Sequence, residues 1–252
     1  MEICNPAPTQ RPALRALWQE AFGDSDAFLD SFFSTGFCPH RCRCILSDDQ
    51  IAAALYWFDC SLGGEKYAYL YAVATAKSFQ RKGLCRRLLE DTHALLAREG
   101  YAGALLVPES EGLRRMYTGF GYRRQTQITE FSCRAEGPAA CLRSVCPEAY
   151  AQYRRQYLPE GGVIQEGAGL AFLNATAKLY LGPDFLLAAQ PGDDGLRAVE
   201  LLGNREAAPG ILRALGYDRG VFRVPGNGMS FAMFLPLRPG TRGPDYFGLA
   251  FD

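Results

Sequence analysis

Apolar side chains recur every three to four residues along parts of the N-terminal half, and this spacing predicts helices. The first stripe runs from Ala13 to Phe22. A second helix is expected to extend to Phe33 after a cap at Asp24 or Ser25. The longest stripe runs from Leu84 to about Glu99 and stops at a glycine, the usual residue after a helix end. A short helix is expected from Glu111 to Thr118.

Between these helices, runs rich in apolar and β-branched residues predict strands. Arg43 to Leu46 and Ile51 to Phe58 flank an Asp48-Asp49 turn, which indicates a hairpin. Tyr67 to Thr75 is apolar throughout, as in a central strand that is covered on both faces. Two further strands are predicted at Ala102–Val107 and Gln127–Cys133.

The second half of the chain follows a linker predicted at Ala135–Ala140. Its pattern predicts helices at Pro147–Tyr157 and Arg205–Leu215. Strands are expected near Gly169–Leu173, Phe185–Ala189, Leu196–Leu202, Val221–Val224, Met229–Leu237 and Tyr246–Phe251. The order strand, Gly203-Asn204, helix, Gly216-Tyr217 partly echoes the first half, although no residue-level repeat is visible.

Charge and composition narrow the classes of function. The 252 residues carry 27 Lys and Arg against 27 Asp and Glu, so the chain lacks the basic excess of a general nucleic-acid or membrane-surface binder. No apolar run approaches the roughly 18 residues of a membrane span, and no signal peptide is visible at the start. We therefore expect a cytoplasmic protein without membrane or nucleic-acid partners. Its nine cysteines are expected to be reduced thiols.

One cysteine-rich segment raises the question of a metal. Cys38, His40, Cys42 and Cys44 are four soft ligands within seven residues. No second ligand pair lies at zinc-finger distance, and two arginines between them disfavour a divalent cation. Plain thiols are the favoured interpretation, with a metal or redox role as the alternative, and no metal is predicted.

The strand, glycine loop and helix at residues 67–99 carry the most chemistry. A helix that begins after Gly83 has backbone N–H groups without intrahelical partners, and the helix dipole adds positive charge there. Such a helix start can bind phosphate oxygens. Five cations surround it: Lys77, Arg81, Lys82, Arg86 and Arg87. The loop matches neither the Walker pattern nor the three-glycine dinucleotide pattern, and an ordinary strand-to-helix turn with solvated basic residues is the alternative.

The same loop resembles a family signature. Gln80-Arg-Lys-Gly83-Leu-Cys85 is similar to the Gln/Arg-x-x-Gly-x-Gly/Ala motif of the GCN5-related N-acetyltransferase (GNAT) superfamily, with Cys85 in place of the second small residue. The preceding Val73-Ala-Thr75 resembles the enhanced intracellular survival branch, although Lys77 replaces a common proline. Ser110 to Tyr122 is similar in spacing to the superfamily's Asn-x-x-Ala-x-x-Leu-Tyr-x-x-x-Gly-Phe motif. The resemblance covers roughly residues 10–133.

The resemblance implies an α/β (α+β) fold with a mixed, mostly antiparallel sheet flanked by helices. It assigns residues 1–135 to a catalytic domain that binds acetyl-CoA as co-substrate. Residues 140–252 would form a smaller α/β domain, either a degenerate GNAT-like half or an accessory domain, without a cofactor site. The expected cofactor contacts are the strand residues Tyr71, Ala72, Val73, Ala74 and Thr75 and the loop residues Gln80, Arg81, Lys82, Gly83, Leu84, Cys85 and Arg86.

The resemblance also suggests catalytic residues. Tyr117 matches the superfamily's general acid, with a core aromatic as the alternative. Glu109 and Glu111 are candidates for the base, beside ordered water and the terminal carboxylate of Asp252, which the survival branch would suggest. Cys85 is interpreted as a packing residue rather than an acyl-accepting nucleophile. His93 is interpreted as a border residue of its helix rather than a base.

The predicted activity is transfer of the acetyl group of acetyl-CoA to a primary amine through a tetrahedral intermediate. The alternative is a catalytically degenerate module that binds CoA for regulation or scaffolding. A small-molecule amine or amino group is the expected partner, and the protein is expected to be a monomer or homodimer.

Overall fold

The computed structural model describes residues 1–48 and 50–251. The helices are α1 (Arg11–Phe22), α2 (Asp26–Ser31), α3 (Leu84–Arg98), α4 (Glu111–Thr118), α5 (Pro147–Tyr157), α6 (Ala168–Thr176) and α7 (Ala208–Leu215). The strands are β1 (Glu2–Cys4), β2 (Cys42–Ser47), β3 (Gln50–Leu62), β4 (Glu65–Thr75), β5 (Gly103–Leu106), β6 (Arg123–Arg124), β7 (Gln127–Arg134), β8 (Arg143–Ser144), β9 (Ile164–Gln165), β10 (Lys178–Leu181), β11 (Phe185–Gly192), β12 (Gly195–Gly203), β13 (Arg219–Pro225), β14 (Met229–Ser230) and β15 (Met233–Pro236).

The described residues divide into two units by their contacts. Unit 1 contains Met1–Cys60, Gly64–Arg123 and Phe234–Gly243, and unit 2 contains Ser61–Gly63, Arg124–Met233 and Pro244–Asp252. Strand β7 and most of the second half therefore lie in unit 2, while a later segment returns to unit 1. The division into a CoA-binding domain at 1–135 and an accessory domain at 140–252 remains a prediction about function.

Unit 1 has a mixed sheet in the order β1-β2-β3-β4-β5-β15-β6. The predicted hairpin is present, because β2 pairs antiparallel with β3 and Ser47 lies opposite Gln50. Asp49, which is predicted to lie in the turn, is outside the described residues. Strands β4 and β5 run parallel and are connected through α3. Strand β15 comes from far along the chain, and its Phe234 fits against the space that a side chain at Gly103 would fill.

The helices of unit 1 follow from the apolar stripes. Helix α3 buries Leu84, Leu88, Leu89 and Leu96 on one face, so it packs on the sheet through the predicted stripe. Helix α2 begins where Ser25 accepts a hydrogen bond from the amide of Phe28. The helix is shorter than predicted, since the residues after Ser31 form a π-helical turn at Phe32–Gly36.

Unit 2 has a second mixed sheet in the order β14-β7-β13-β12-β11-β10-β8. Strands β12 and β13 are parallel and are connected through α7, while the other described neighbours in this sheet are antiparallel. The β12–α7–β13 arrangement repeats the β4–α3–β5 arrangement of unit 1. The mixed, mostly antiparallel α/β fold predicted from the resemblance is therefore confirmed.

Several predicted elements of the second half are corrected. The strand expected near Gly169–Leu173 is wrong, because these residues lie in α6. Short apolar runs fit either a buried strand or a buried helix, and periodicity alone does not separate the two. The predicted strand Met229–Leu237 is interrupted between β14 and β15, and Tyr246–Phe251 is not an extended strand, although Tyr246, Phe247, Leu249 and Ala250 are buried.

Two further segments differ from their predictions. The predicted helix Arg205–Leu215 is a 3-10 turn, Arg205–Ala207, followed by α7. The segment predicted as a linker, residues 135–140, is part of unit 2: the amide of Ala135 donates to the carbonyl of Asp218, and the amide of Ala140 donates to the carbonyl of Gly210.

Candidate active site

Strand β4 carries an irregularity where a cofactor is expected. It pairs with β5 from Tyr67 to Tyr69, whereas β4 continues to Thr75. Ala72 has φ of 48°, a left-handed conformation that is rare within a strand and for a residue other than glycine. The two parallel strands thus part in the second half of β4. An extended ligand can add to a strand edge of this kind through main-chain hydrogen bonds.

The partial exposure of residues 71–75 is typical of a strand that lines a cleft rather than a closed core. Tyr71, Ala72, Val73 and Thr75 are half-buried, and only Ala74 is fully buried. Each of the strand residues predicted to contact the cofactor therefore lies in the part of β4 beyond the described pairing with β5.

The loop that follows has the backbone geometry of an anion site. Arg81 has φ of 62° and Gly83 has φ of 75°, so two left-handed residues precede α3. Backbone turns of this type direct successive N–H groups toward one point, where they bind anions. Gly83 is the N-cap of α3, and no side chain caps this helix start. The N–H groups of the first turn are consequently available to a ligand.

The loop is also fixed to the strand. The side-chain amide of Gln80 donates to the carbonyl of Thr75 over 3.2 Å, and the amide of Lys77 donates to Glu20 over 3.0 Å. The first position of the predicted motif therefore has a structural reason: it holds the end of β4 against the loop.

The five cations around the helix start are all exposed. Lys82 donates to the carbonyl of Ser78 over 3.0 Å, which folds its side chain over the preceding turn. Arg86 lies 4.6 Å from the ring of Phe120 and 3.7 Å from Glu90. These exposed side chains place basic groups around the start of α3.

Cys85 lies in the first turn of α3 and is half-buried. Burial raises the pKa of its thiol, and the charge of Arg86 lowers the pKa only in part. The thiol is therefore protonated at neutral pH, which fits the predicted packing role and not that of an activated nucleophile.

Tyr117 lies in α4, whose start is capped by the Ser110 hydroxyl accepting from the amide of Leu113. The tyrosine is 7% exposed, and burial, followed by the nearby Cys85, raises its pKa. Its ring contacts Phe120 and Tyr122 edge to face. Among the described residues, no hydrogen bond to its hydroxyl occurs. The hydroxyl oxygen is nevertheless not completely enclosed by protein. The hydroxyl is thus protonated and within reach of solvent or a ligand.

The candidates for the base are less well placed. Glu109 is exposed at the end of the segment before α4. Glu111 forms an ion pair with Arg114 over 3.1 Å on the surface. Asp252 lies outside the described residues. The roles of these carboxylates stay predictions.

The sequence interpretation missed a contact of His93. Its Nε2 atom lies 2.8 Å from the hydroxyl of Tyr122, and the two rings are 5.5 Å apart. Burial lowers the pKa of His93 to about 4, so the imidazole is neutral at physiological pH. A histidine and a tyrosine 29 residues apart give no local signal, and only the packing of α3 against the segment after α4 brings them together.

The cysteine-rich segment is mostly part of the sheet. Cys42 and Cys44 are buried in β2, and burial raises the pKa of both thiols, that of Cys44 to about 12. Arg43 forms an ion pair with Asp91. Within residues 1–48 and 50–251, no group of three or more His, Cys, Asp or Glu side chains is arranged to hold a metal ion.

The loop of unit 2 that corresponds to the phosphate loop is built differently. Asn204 accepts a hydrogen bond from the amide of Glu206 over 3.0 Å, so a side chain already occupies one donor there. Arg205 is paired with Glu206. Pro209, in the first turn of α7, has no N–H group to donate.

Comparison with known families agrees with this geometry. Residues 3–124 match the family described as acetyltransferase (GNAT) domain. The resemblance seen in the two motifs is therefore confirmed: the N-terminal half is similar to GNAT acetyltransferase domains. A search of curated proteins finds no match.

Solved structures share the fold over nearly the whole chain. A GCN5-related N-acetyltransferase from Anabaena variabilis is 14% identical with a TM-score of 0.73, covering 94% of this chain and 73% of that one. Eis1 from Mycobacterium abscessus is 13% identical with a TM-score of 0.68, covering 94% and 74%. A putative acetyltransferase from Pyrococcus horikoshii is 17% identical with a TM-score of 0.62, covering 98% and 93%. At these identities the likeness is one of fold. In the described part of the chain, no helix is both long and apolar enough to cross a membrane.

Proposed function

We propose that this protein is an N-acetyltransferase that transfers the acetyl group of acetyl-CoA directly to a primary amine. The observation that carries the proposal is the left-handed pair Arg81 and Gly83, which opens the uncapped start of α3 directly after the irregular half of β4. This arrangement offers a phosphate site and a free strand edge in succession, as the pyrophosphate and the pantetheine of CoA require.

In this proposal each part of the site has one task. The backbone amides of residues 81–86 hold the pyrophosphate, and residues 71–75 pair with the pantetheine as an added strand. A backbone amide near Val73 polarises the thioester carbonyl. The amine attacks that carbon to form a tetrahedral intermediate, the C–S bond then breaks, and the CoA thiolate takes the proton of the Tyr117 hydroxyl.

Burial raises the pKa of Tyr117 and so keeps its hydroxyl protonated, which is one requirement of a general acid. A phenol that stays protonated across neutral and mildly alkaline pH carries the proton that the departing thiolate needs. The amine must first lose a proton, for which Glu109 and ordered water are the proposed acceptors. If the pH–rate profile of Glu109→Gln rises with pH as that of the wild type does, water is the acceptor rather than Glu109.

Thiol release from acetyl-CoA with a panel of amines tests the activity. We expect release that depends on the amine, and the panel should include aminoglycosides, polyamines, amino acids and a lysine peptide. Binding of CoA without thiol release for any amine would favour a degenerate CoA-binding module instead.

We expect Gly83→Asp to weaken CoA binding more than tenfold, about 1.4 kcal/mol. A Cβ at Gly83 meets no atom within 4 Å, so the substitution is not excluded sterically, and it adds a negative charge within the proposed phosphate loop. Gly83→Asn is the matched control, because asparagine tolerates the left-handed φ as well as aspartate does but adds no charge. If calorimetry gives the same CoA affinity for both variants, the loop does not bind the pyrophosphate as proposed.

We also expect one CoA per chain, bound in unit 1. In unit 2, Asn204 caps the 3-10 turn that precedes α7, and Pro209 in the first turn of α7 has no N–H group, so fewer backbone donors remain for a second pyrophosphate. Calorimetric titration of the whole chain measures the stoichiometry. A chain ending near Gly137 is unsuitable for this purpose because it lacks β15, which lies between β5 and β6. A site that remains at full affinity in Gly83→Asp would contradict the expectation.

A further inference from the structure

Helix α3 contacts the surroundings of Tyr117 at two levels. In its first turn, Arg86 lies over the ring of Phe120 at 4.6 Å. Two turns later, the His93 Nε2 atom lies 2.8 Å from the Tyr122 hydroxyl. Phe120 and Tyr122 are in turn the two rings that contact Tyr117, with centroid distances of 6.3 and 5.7 Å. The helix that begins at the proposed phosphate loop thus also contacts the two rings that pack against Tyr117, the proposed acid.

The hydrogen bond between His93 and Tyr122 is not needed to fill space. Tyr122 is 1% exposed, so its ring alone would fill the position that it occupies. Burying a hydroxyl and an imidazole costs free energy unless they bond to each other. Here the two groups do so, and the bond fixes the position of the Tyr122 ring along α3. Since Tyr117 packs against that ring at 71°, the orientation of one tyrosine depends on the other.

We propose that His93 and Tyr122 are positioning residues, whose hydrogen bond holds the Tyr117 ring in the orientation needed to donate its proton. The proposal rests on the proposed function, in which Tyr117 is the acid. Neither residue exchanges a proton with substrate in this scheme. Burial favours the neutral form of both side chains, so the bond persists at neutral pH.

Tyr122→Phe is the first test. It keeps the ring and removes the bond, and we expect kcat to fall about tenfold while the KM for acetyl-CoA stays within twofold. His93→Leu should give a similar fall. His93→Gln is the conservative variant, because its side-chain amide can reach the Tyr122 hydroxyl, and it should restore most of kcat.

A double-mutant cycle separates positioning from general damage. In a Tyr117→Phe background there is no acid left to position, so adding Tyr122→Phe should lower kcat by no more than about twofold. A further tenfold loss in that background would mean that Tyr122 acts independently of Tyr117 and would overturn the proposal. Unchanged kcat in folded Tyr122→Phe would overturn it as well.

Tyr101→Phe is the matched control for loss of a buried tyrosine hydroxyl. Tyr101 is 1% exposed, and its hydroxyl bonds to Trp57 and Asp59 rather than to His93. It should lower the melting temperature without changing kcat, and an equal loss of kcat in this control would indicate a structural effect only. The failure of the proposed function would appear differently, as absence of amine-dependent thiol release in the wild-type protein.

Discussion

Tyr117→Phe is expected to lower kcat by about 10²- to 10⁴-fold, the usual contribution of general acid catalysis, with little change in the KM for acetyl-CoA. The substitution deletes one oxygen atom and keeps the ring between Phe120 and Tyr122. That hydroxyl has no hydrogen-bond partner among the described residues, so its removal leaves no protein group unpaired. A loss of turnover would therefore come from the missing proton and not from a damaged core.

Two measurements decide how the loss is interpreted. Calorimetry should give the same CoA affinity for Tyr117→Phe and wild type, since the phosphate loop is untouched. The wild-type pH–rate profile should keep its activity beyond the ordinary tyrosine pKa of about 10, because burial raises the pKa of Tyr117. A variant that retains most of its turnover would make Tyr117 a core aromatic of α4.

The sequence predicts the candidate site well where the signal is local. Helix α3 follows from its leucine stripe, and α4 is expected at Glu111–Thr118, the bounds that the structure has. The loop between β4 and α3 is visible from Gly83 and its neighbouring cations, since a glycine before an apolar stripe marks a helix start. The glycine's φ of 75° shows why that residue is needed there.

Features that depend on distant residues could not be predicted in this way. The left-handed φ of 48° at Ala72 has no sequence signal, because alanine gives no reason to expect it. Insertion of β15 between β5 and β6 joins segments more than a hundred residues apart. The bond of His93 to Tyr122 was missed for the same reason, and the apolar run in α6 was ambiguous between a strand and a helix.

The buried ion pair of unit 2 is a further feature that the sequence does not predict, because it joins residues that are distant along the chain. Arg154 and Glu200 are 46 positions apart, and their side chains are 2% and 0% exposed. The guanidinium donates to both carboxylate oxygens, over 2.7 and 2.9 Å, and also to the carbonyl of Val163 over 2.8 Å. Tyr246 donates to the same carboxylate over 3.0 Å. Burial by itself lowers the pKa of Arg154, but the charge of Glu200 and its hydrogen bonds outweigh this and raise it.

Through this cluster the C-terminal segment is attached to unit 2. Tyr246 brings its hydroxyl to Glu200 and its carbonyl to the amide of Val163, and the side chain of Gln165 donates to the carbonyl of Leu249 over 2.6 Å. The predicted burial of residues 246–251 thus has a polar cause as well as an apolar one. Loss of the carboxylate would leave the charge of Arg154 buried without its partner and would loosen Tyr246 at the same time.

We therefore expect Glu200→Gln to lower the free energy of unfolding by about 3–5 kcal/mol, the cost of breaking a buried pair from one side. Denaturant unfolding, followed by circular dichroism, measures the change. The matched control is Glu166→Gln, which breaks the ion pair of Glu166 with Arg155, the residue next to Arg154 in α5. The side chains of Arg155 and Glu166 are 54% and 46% exposed. That exposed pair should contribute less than about 1 kcal/mol. A double variant, Arg154→Met with Glu200→Leu, removes both charges and should recover much of the loss; equal effects of Glu200→Gln and Glu166→Gln would contradict the buried pair.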